Sequence, residues 1–342
     1  MGDAPTTVAF AGAGWVTVVH GLAVDAFDDL RVVHVASRRP ESAARRAEQV
    51  GAVPLGYDEL PSGDDLVVVA TPPPAHRAVA ERAVDGGAAV LVETPLAATL
   101  ADADALVALA SRGRVAYGEN LVHSPVVAQA VGACRRIGDL THLEVRFAQG
   151  RPEGGLDRTS ADWGGGVLFD LGVHAVALAL LMAAPARVTA VAAQLQRGED
   201  MDVDDDATVT LTFDDGLSVQ VRATWRAAAP MWDAQAASAT SAVRVELVPE
   251  PTVELNGTPL KLARPPTGLA TEQLHHLGYL DQLGTLTADV ASDRTPRVGP
   301  AFGRVVLEIL CAAYASARTE EPEPLPFTGP RDRTPQELWA PG

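Results

Sequence analysis

The sequence predicts an α/β fold: a doubly wound parallel sheet first, then an α+β half built on a large, mostly antiparallel open sheet. Three observations carry this. Val8–Ala11 is a short apolar run closed by Gly12-Ala13-Gly14, after which Trp15–His20 restarts as an amphipathic segment. Apolar runs and helical segments then alternate as far as Tyr117, the pattern of parallel strands with crossover helices. From Thr141 onward the period changes to strict alternation, broken by hairpin turns.

Val8–Ala11 reads as a strand buried on both faces and Trp15–His20 as the start of a helix. Leu30–Ala36 is the second strand and Glu41–Val50 the helix after it. Pro54–Leu60 is a short strand and loop. Leu66–Ala70 is continuously apolar, a central strand. Thr71-Pro72-Pro73-Pro74-Ala75 forms a stiff loop at its C-terminal end, and His76 begins a helix that runs to about Asp85 and stops at Gly86-Gly87. Ala88–Val92 is another buried strand, Leu100–Ser111 a helix and Val115–Tyr117 a last short strand. A domain boundary near Leu121 separates residues 1–121 from 122–342.

In the second half Pro125–Ile137 reads as helix. Thr141–Ala148 alternates, with Leu143, Val145 and Phe147 on one face. Residues 149–166 form a loop and Val167–Met182 one apolar helix. Strand-like runs follow at 188–196, 207–213, 217–225, 232–239 and 243–248, with Asp214-Asp215-Gly216 a hairpin turn. Tyr279–Ser292 and Gly303–Thr319 are helical, and Glu320–Pro326 is a proline-punctuated exit.

The chain has 342 residues and a formal net charge of −17, which disfavours nucleic acid and anionic membranes as partners and is read as serving solubility; a small-molecule substrate is expected. No uninterrupted apolar run of spanning length and no secretory signal are read from it. Two distant cysteines, Cys134 and Cys311, form no metal or redox motif and fit a cytoplasmic protein. Lys261 is the only lysine.

The strand–glycine turn–helix order makes a phosphate site, because the free N–H groups and dipole of the helix start favour an anion. Gly12 permits the turn and Gly14 the close approach of a pyrophosphate. Thr17 stands where the usual third glycine would be. After the second strand, where a carboxylate would hold an adenosine ribose, stand Ser37, Arg38 and Arg39. Guanidinium groups there suit a 2′-phosphate, so NADP(H) is expected over NAD(H). Asp170 and His174, four apart on a predicted helix, share a face and suggest a proton shuttle. Tyr117, Arg151, Arg158 and Trp163 are candidates to hold substrate, and Glu119 and His123 are held in reserve with Tyr117 as proton carriers. Asp202, Asp204 and Asp206 mimic the start of a calcium loop, but Ala207 and Phe213 occupy its glycine and glutamate positions. An exposed acidic connection is the expectation, with no metal site.

In order along the chain, these features resemble the Gfo/Idh/MocA family of NAD(P)-dependent oxidoreductases. Gly12-x-Gly14 with His20 is similar to the family's opening, and Ala70-Thr71-Pro72-Pro73 with His76 to its second cofactor loop. Leu91-Val92-Glu93-Thr94-Pro95-Leu96 is similar to its third, which normally reads Glu-Lys-Pro. Glu119-Asn120 through Pro125 resembles the exit from the nucleotide domain. Gly164-Gly165-Gly166 through Asp170 and His174 resembles the substrate signature, and Ala312–Ala317 the last helix. The resemblance implies an N-terminal Rossmann domain and a C-terminal α+β domain whose open sheet mediates homodimers or homotetramers. It implies cofactor contacts from Gly12, Gly14, Trp15, Val16, Ser37, Arg38, Arg39, Thr71, Pro72, Pro73, His76, Glu93, Thr94 and Asn120. Thr94 stands where the family's catalytic lysine would be, and a threonine has no useful pKa for acid–base work.

The first reading is an NADP(H)-dependent reductase or dehydrogenase of a sugar-like or secondary-metabolite substrate. His174, supported by Asp170, moves its proton, and Thr94 only orients ribose or substrate. The alternatives are a non-redox lyase, cyclase or isomerase on the same fold, or a non-catalytic NADP-binding protein.

Overall fold

The computed structural model describes residues 5–60, 63–152, 158–263 and 269–340, and everything below refers to these. The chain forms two compact units.

The first unit is built on six parallel strands: β1 (Thr6–Ala11), β2 (Leu30–Ala36), β3 (Val53–Leu55), β4 (Leu66–Val69), β5 (Ala89–Val92) and β6 (Val115–Tyr117). Their order is β3-β2-β1-β4-β5-β6, which reverses direction between β1 and β4. A ligand crevice outside the carboxyl ends of the strands is expected at such a reversal. Helices α1 (Val16–Val24), α2 (Pro40–Val50), α3 (His76–Asp85) and α4 (Leu100–Leu109) connect the strands. Every residue of β4 and β5 is buried, as their unbroken apolar composition requires of strands covered on both faces.

The unit also takes back a distant segment. Helices α8 (Leu269–His276) and α9 (Tyr279–Ala291) belong to it and pack against α1. Leu274, Leu280, Leu283 and Leu286 join Val8, Phe10, Val19 and Val24 in one core. The first compact unit thus includes Pro265–Arg304 as well as Met1–Ala97 and Ala101–Asn120. The apolar faces of these two helices complete the first core.

The second unit carries helix α5 (Pro125–Ile137), strand β7 (His142–Gly150), helices α6 (Val167–Asp170) and α7 (Gly172–Ala183), and strands β8 (Val188–Gln196), β9 (Asp206–Phe213), β10 (Ser218–Thr224), β11 (Arg226–Ala237), β12 (Ala242–Val248), β13 (Thr252–Leu255) and β14 (Thr258–Pro259). The strand β15 (Glu323–Pro324) closes one edge, giving the order β14-β13-β12-β11-β7-β10-β9-β8-β15. Only the β7–β10 pair is parallel; the other neighbours are antiparallel. Buried and less buried residues alternate along β7, β9, β10 and β12, so one face of the sheet is lined with apolar side chains. Helix α7 covers that face over β7 and β10, and α5 covers it over β12 and β13.

Helix α10 (Pro300–Thr319) starts in the first unit and continues into the second, and α11 (Pro335–Trp339) ends the described chain. Of the described helices, α10 alone is long and apolar enough to span a bilayer, but 72% of its apolar window is buried within the protein. It is placed as a core helix.

Candidate active site

At the end of β1 the backbone of Gly12 takes a φ of +134°, and a Cβ there would lie 2.2 Å from the carbonyl oxygen of Ala70. Only glycine fits this turn, because the chain must pass that close to the end of β4. The Gly12 N–H donates to Ala36 O at the end of β2 (2.9 Å), so the turn is tied to both neighbours of β1. Thr17, at the third glycine position, is fully buried and donates its hydroxyl to Gly14 O at 2.7 Å. The hydroxyl thus closes the turn from inside the helix. From α2, Arg46 donates to the same Gly14 carbonyl at 3.1 Å, a brace that sequence reasoning missed.

Trp15 stands 64% exposed at the start of α1, and Val16 is half-buried beside it. Arg38 and Arg39 are exposed after β2, and Ser37 Oγ accepts from Arg39 N at 3.3 Å. No carboxylate occupies Ser37–Arg39.

The loop after β4 contains Thr71, Pro72 and Pro73. Thr71 is 7% exposed and its buried hydroxyl has no partner among the described residues, an orphaned donor at the strand edge where a dinucleotide is expected. His76 is placed differently from expectation. Its Nε2 donates to Thr71 O at 2.8 Å and its Nδ1 faces Leu96 O at 3.2 Å. The ring braces two loops, and burial pushes its pKa down.

After β5, Glu93 is 7% exposed. Its Oε1 accepts from His20 Nε2 at 2.6 Å and its Oε2 from Thr94 N at 3.3 Å. The buried pair ties α1 to the loop that carries Thr94, which is half-buried. Asn120 donates to Leu277 O at 2.7 Å, tying the exit of this unit to the segment after α8.

Tyr117, a substrate candidate in sequence, lies inside the first unit. It is 1% exposed, packed against Phe302 and under Gly303, and its hydroxyl has no described partner. Burial, with Glu119 and Glu93 as like-signed neighbours, pushes its pKa well above the ordinary tyrosine value. It is a core residue of β6, whose alternation gave no hint of burial on both faces.

In the second unit the expected single helix over 167–182 is two. α6 and α7 meet at Leu171 in a bend of 42°. Asp170 ends α6 and His174 lies in the first turn of α7, so spacing by four on one helix does not describe them. The Asp170 carboxylate pairs with Arg158, whose Nη1 donates to Oδ1 at 3.0 Å. The Arg158 guanidinium carbon also lies 5.9 Å from the Trp163 ring centre, and Trp163 stands edge-on to Phe169 at 5.4 Å. Arg151 is exposed and donates to Asp200 O at 3.4 Å.

His174 stacks on Trp232, with ring centres 6.3 Å apart and planes 18° apart. Trp232 in turn stacks on Phe147 at 4.9 Å and 10°. Phe147 and Trp232 are direct partners across β7 and β11, so both lie on the face that α7 covers. The alternation had put Phe147 on that face. Trp232 was missed because no local signal shows which strand pairs with β7.

The expectation of an exposed acidic connection at Asp202–Asp206 fails at its centre. Asp202 is exposed, but Asp204 is fully buried. Its Oδ1 accepts from Gly166 N (3.0 Å) and Tyr314 Oη (2.5 Å), its Oδ2 from Leu168 N (2.9 Å), and its backbone oxygen from Val167 N (2.8 Å). Among the described residues no group of three or more His, Cys, Asp or Glu side chains forms a metal site.

Two profiles match this chain in sequence. Residues 6–121 match the oxidoreductase family with an NAD-binding Rossmann fold, and residues 127–258 match the GFO/IDH/MocA C-terminal domain. The chain belongs to the Gfo/Idh/MocA oxidoreductase family. Among curated relatives, dTDP-3,4-didehydro-2,6-dideoxy-alpha-D-glucose 3-reductase of Actinomadura kijaniata is 33% identical over 198 residues, 56% of this chain and 59% of that one. The enzyme of the same name from Streptomyces antibioticus is 38% identical over 170 residues, 47% of this chain and 51% of that one. The chain thus matches between half and three fifths of the length of these relatives. Among solved structures, GenD2 from gentamicin A biosynthesis in complex with NAD has a TM-score of 0.82 at 25% identity, covering 94% of this chain and 97% of that one. Levoglucosan dehydrogenase in complex with NADH and L-sorbose, also at TM-score 0.82, is 19% identical and shares the fold, over 94% of this chain and 99% of that one.

Proposed function

We propose that this Gfo/Idh/MocA chain is an NADP(H)-dependent oxidoreductase of a sugar or sugar-nucleotide substrate, with His174 in place of lysine as the proton carrier. The observation that carries the reading is the Gly12 turn. Its backbone approaches the Ala70 carbonyl too closely for any side chain, as a cradle for a dinucleotide pyrophosphate requires. The orphaned Thr71 hydroxyl at the neighbouring strand end supports the same ligand. The curated relatives are named as sugar-nucleotide reductases, which supports the substrate class.

In this reading the bound nicotinamide supplies or accepts the hydride. The chain's own residues do the rest. Gly12, Gly14, Trp15 and Val16 hold the pyrophosphate, and Ser37, Arg38 and Arg39 the 2′-phosphate. Thr71, Pro72 and Pro73 line the loop beyond, with His76 bracing it. Glu93 fixes the Thr94 backbone, and Thr94 orients a hydroxyl without titrating. Asp170, held by Arg158, accepts hydrogen bonds from substrate hydroxyls. His174 gives up or takes the proton that accompanies the hydride, its ring plane set by Trp232. Lys261 is exposed beyond β14 and is not a substitute for the missing amine. Buried thiols at Cys134 and Cys311 fit a reducing, cytoplasmic setting.

The test combines binding with turnover. Dissociation constants are measured for NADPH and NADH. Absorbance of the reduced nicotinamide is then followed with levoglucosan, L-sorbose, D-glucose and dTDP-activated ketosugars. Tighter NADPH and turnover on a sugar are expected. Tighter NADH removes the 2′-phosphate assignment. Sugar conversion without net cofactor oxidation, which Thr94 makes the specific competitor, replaces the reading with a non-redox lyase or isomerase. Binding without conversion leaves a cofactor-sensing protein.

A further inference from the structure

We propose that Asp204 is the positioning residue of the substrate half. As a carboxylate it holds the Gly166–Leu168 turn and thereby the α6–α7 segment that presents Asp170 and His174. The proposal rests on the reading that those two residues meet the substrate.

Three successive backbone N–H groups, from Gly166, Val167 and Leu168, all end on Asp204. These are the groups a helix start leaves unsatisfied, and here one internal residue takes them. The start of α6 is therefore closed to any anion. A Cβ on Gly166 would lie 2.0 Å from Asp204 O, and one on Gly165 would lie 2.8 Å from Tyr314 Oη. The second and third glycines of the run are there to let this carboxylate and this phenol approach. On the other side, Gly164 O accepts from Gln336 N at 2.9 Å. The glycine run is a clamped joint.

Every described partner of the Asp204 side chain is a donor: two amides from α6 and the Tyr314 hydroxyl from α10. Tyr314 is the titratable group facing it, and its own pKa is pushed well above the ordinary value by burial and by Asp204. The Tyr314 oxygen also accepts from Gly166 N at 3.0 Å, so the carboxyl, the phenol and this amide close one ring of hydrogen bonds. Burial raises the Asp204 pKa to about 6, so acid favours the closed joint over one that exposes the carboxyl to water. The joint is therefore probed by removing the carboxyl or the phenol at a single pH.

Hydrogen–deuterium exchange by mass spectrometry tests this on the full chain. A peptide spanning 164–172 is compared with one from β4 at pH 7.5. D204N is expected to lose protection of the 164–172 peptide by about tenfold or more, with β4 unchanged, because its amide nitrogen must face an N–H donor. Y314F, which removes one of the three side-chain contacts of Asp204, loses less. Kinetics on the best sugar from the panel give the functional readout. D204N is expected to lower kcat/KM by about 10- to 100-fold, with the cofactor dissociation constant unchanged. If D204N does not fold, Y314F decides alone. Protection of the 164–172 peptide that is unchanged in both variants, or that falls equally in β4, overturns the proposal. Failure of every sugar to turn over overturns the functional reading instead and leaves the exchange result standing.

Discussion

A threonine hydroxyl at position 94 does not exchange a proton near neutrality, so in the proposed function the acid–base work falls to another group. His174 is the candidate because its ring is fixed by Trp232, which is fixed by Phe147. The stack is expected to tolerate W232F and not W232A. The alanine variant should lose about tenfold more kcat/KM than the phenylalanine variant, with unchanged cofactor affinity, since ring orientation and not burial is at stake. In the first unit, R38A/R39A should weaken NADPH binding by about 10- to 100-fold and NADH binding hardly at all, because in the proposed function only the 2′-phosphate offers a charge-assisted contact. Isothermal titration with both cofactors measures it. Asp204 also has a consequence for stability. Its native pKa of about 6 lies above the 3.8 of the free side chain, so between these values the folded state binds the extra proton. The carboxylate therefore lowers stability as pH rises from about 4 to 6, after which its contribution is constant. Urea unfolding of D204N should show a flatter dependence across that window than the unmodified chain.

At the scale of elements, strands and helices with strong periodicity were legible. The apolar runs of β1, β4 and β5, the helix over 125–137 and the Asp214–Gly216 hairpin needed no tertiary information. What was lost follows one rule: the determinant lay elsewhere in the chain. Helix α8 follows a proline–glycine stretch and is short, so no element of its own was assigned to it from sequence. Helix α11 carried a readable signal, Thr334-Pro335-Gln336-Glu337, whose capping box is present in the structure and went unused. The break at Leu171 has no local breaker, and the buried Asp204 looks in sequence like any acidic turn. Of the candidate site, the glycine turn was legible. The Trp232 stack, the Arg158 pair and Asp204 were not, because each is a contact between distant segments. The return of α9 to the first core gives a test at this scale. L283A removes a side chain that is 1% exposed among β1 and α1 residues and should cost about 2–5 kcal/mol, read by urea unfolding.

At the scale of the whole molecule, charge and sheet edges set what the surface does. A formal charge of −17 disfavours polyanions as partners, so the arginines after β2 form a local exception in an acidic chain. The second sheet is broad, yet both margins are two-residue stubs, Thr258–Pro259 and Glu323–Pro324. A proline has no N–H to give a newcomer, and so short a strand offers almost no ladder to copy. A strand arriving from a second molecule would therefore find little to copy in either stub, and Pro259 and Pro324 would leave a gap in any ladder built on them.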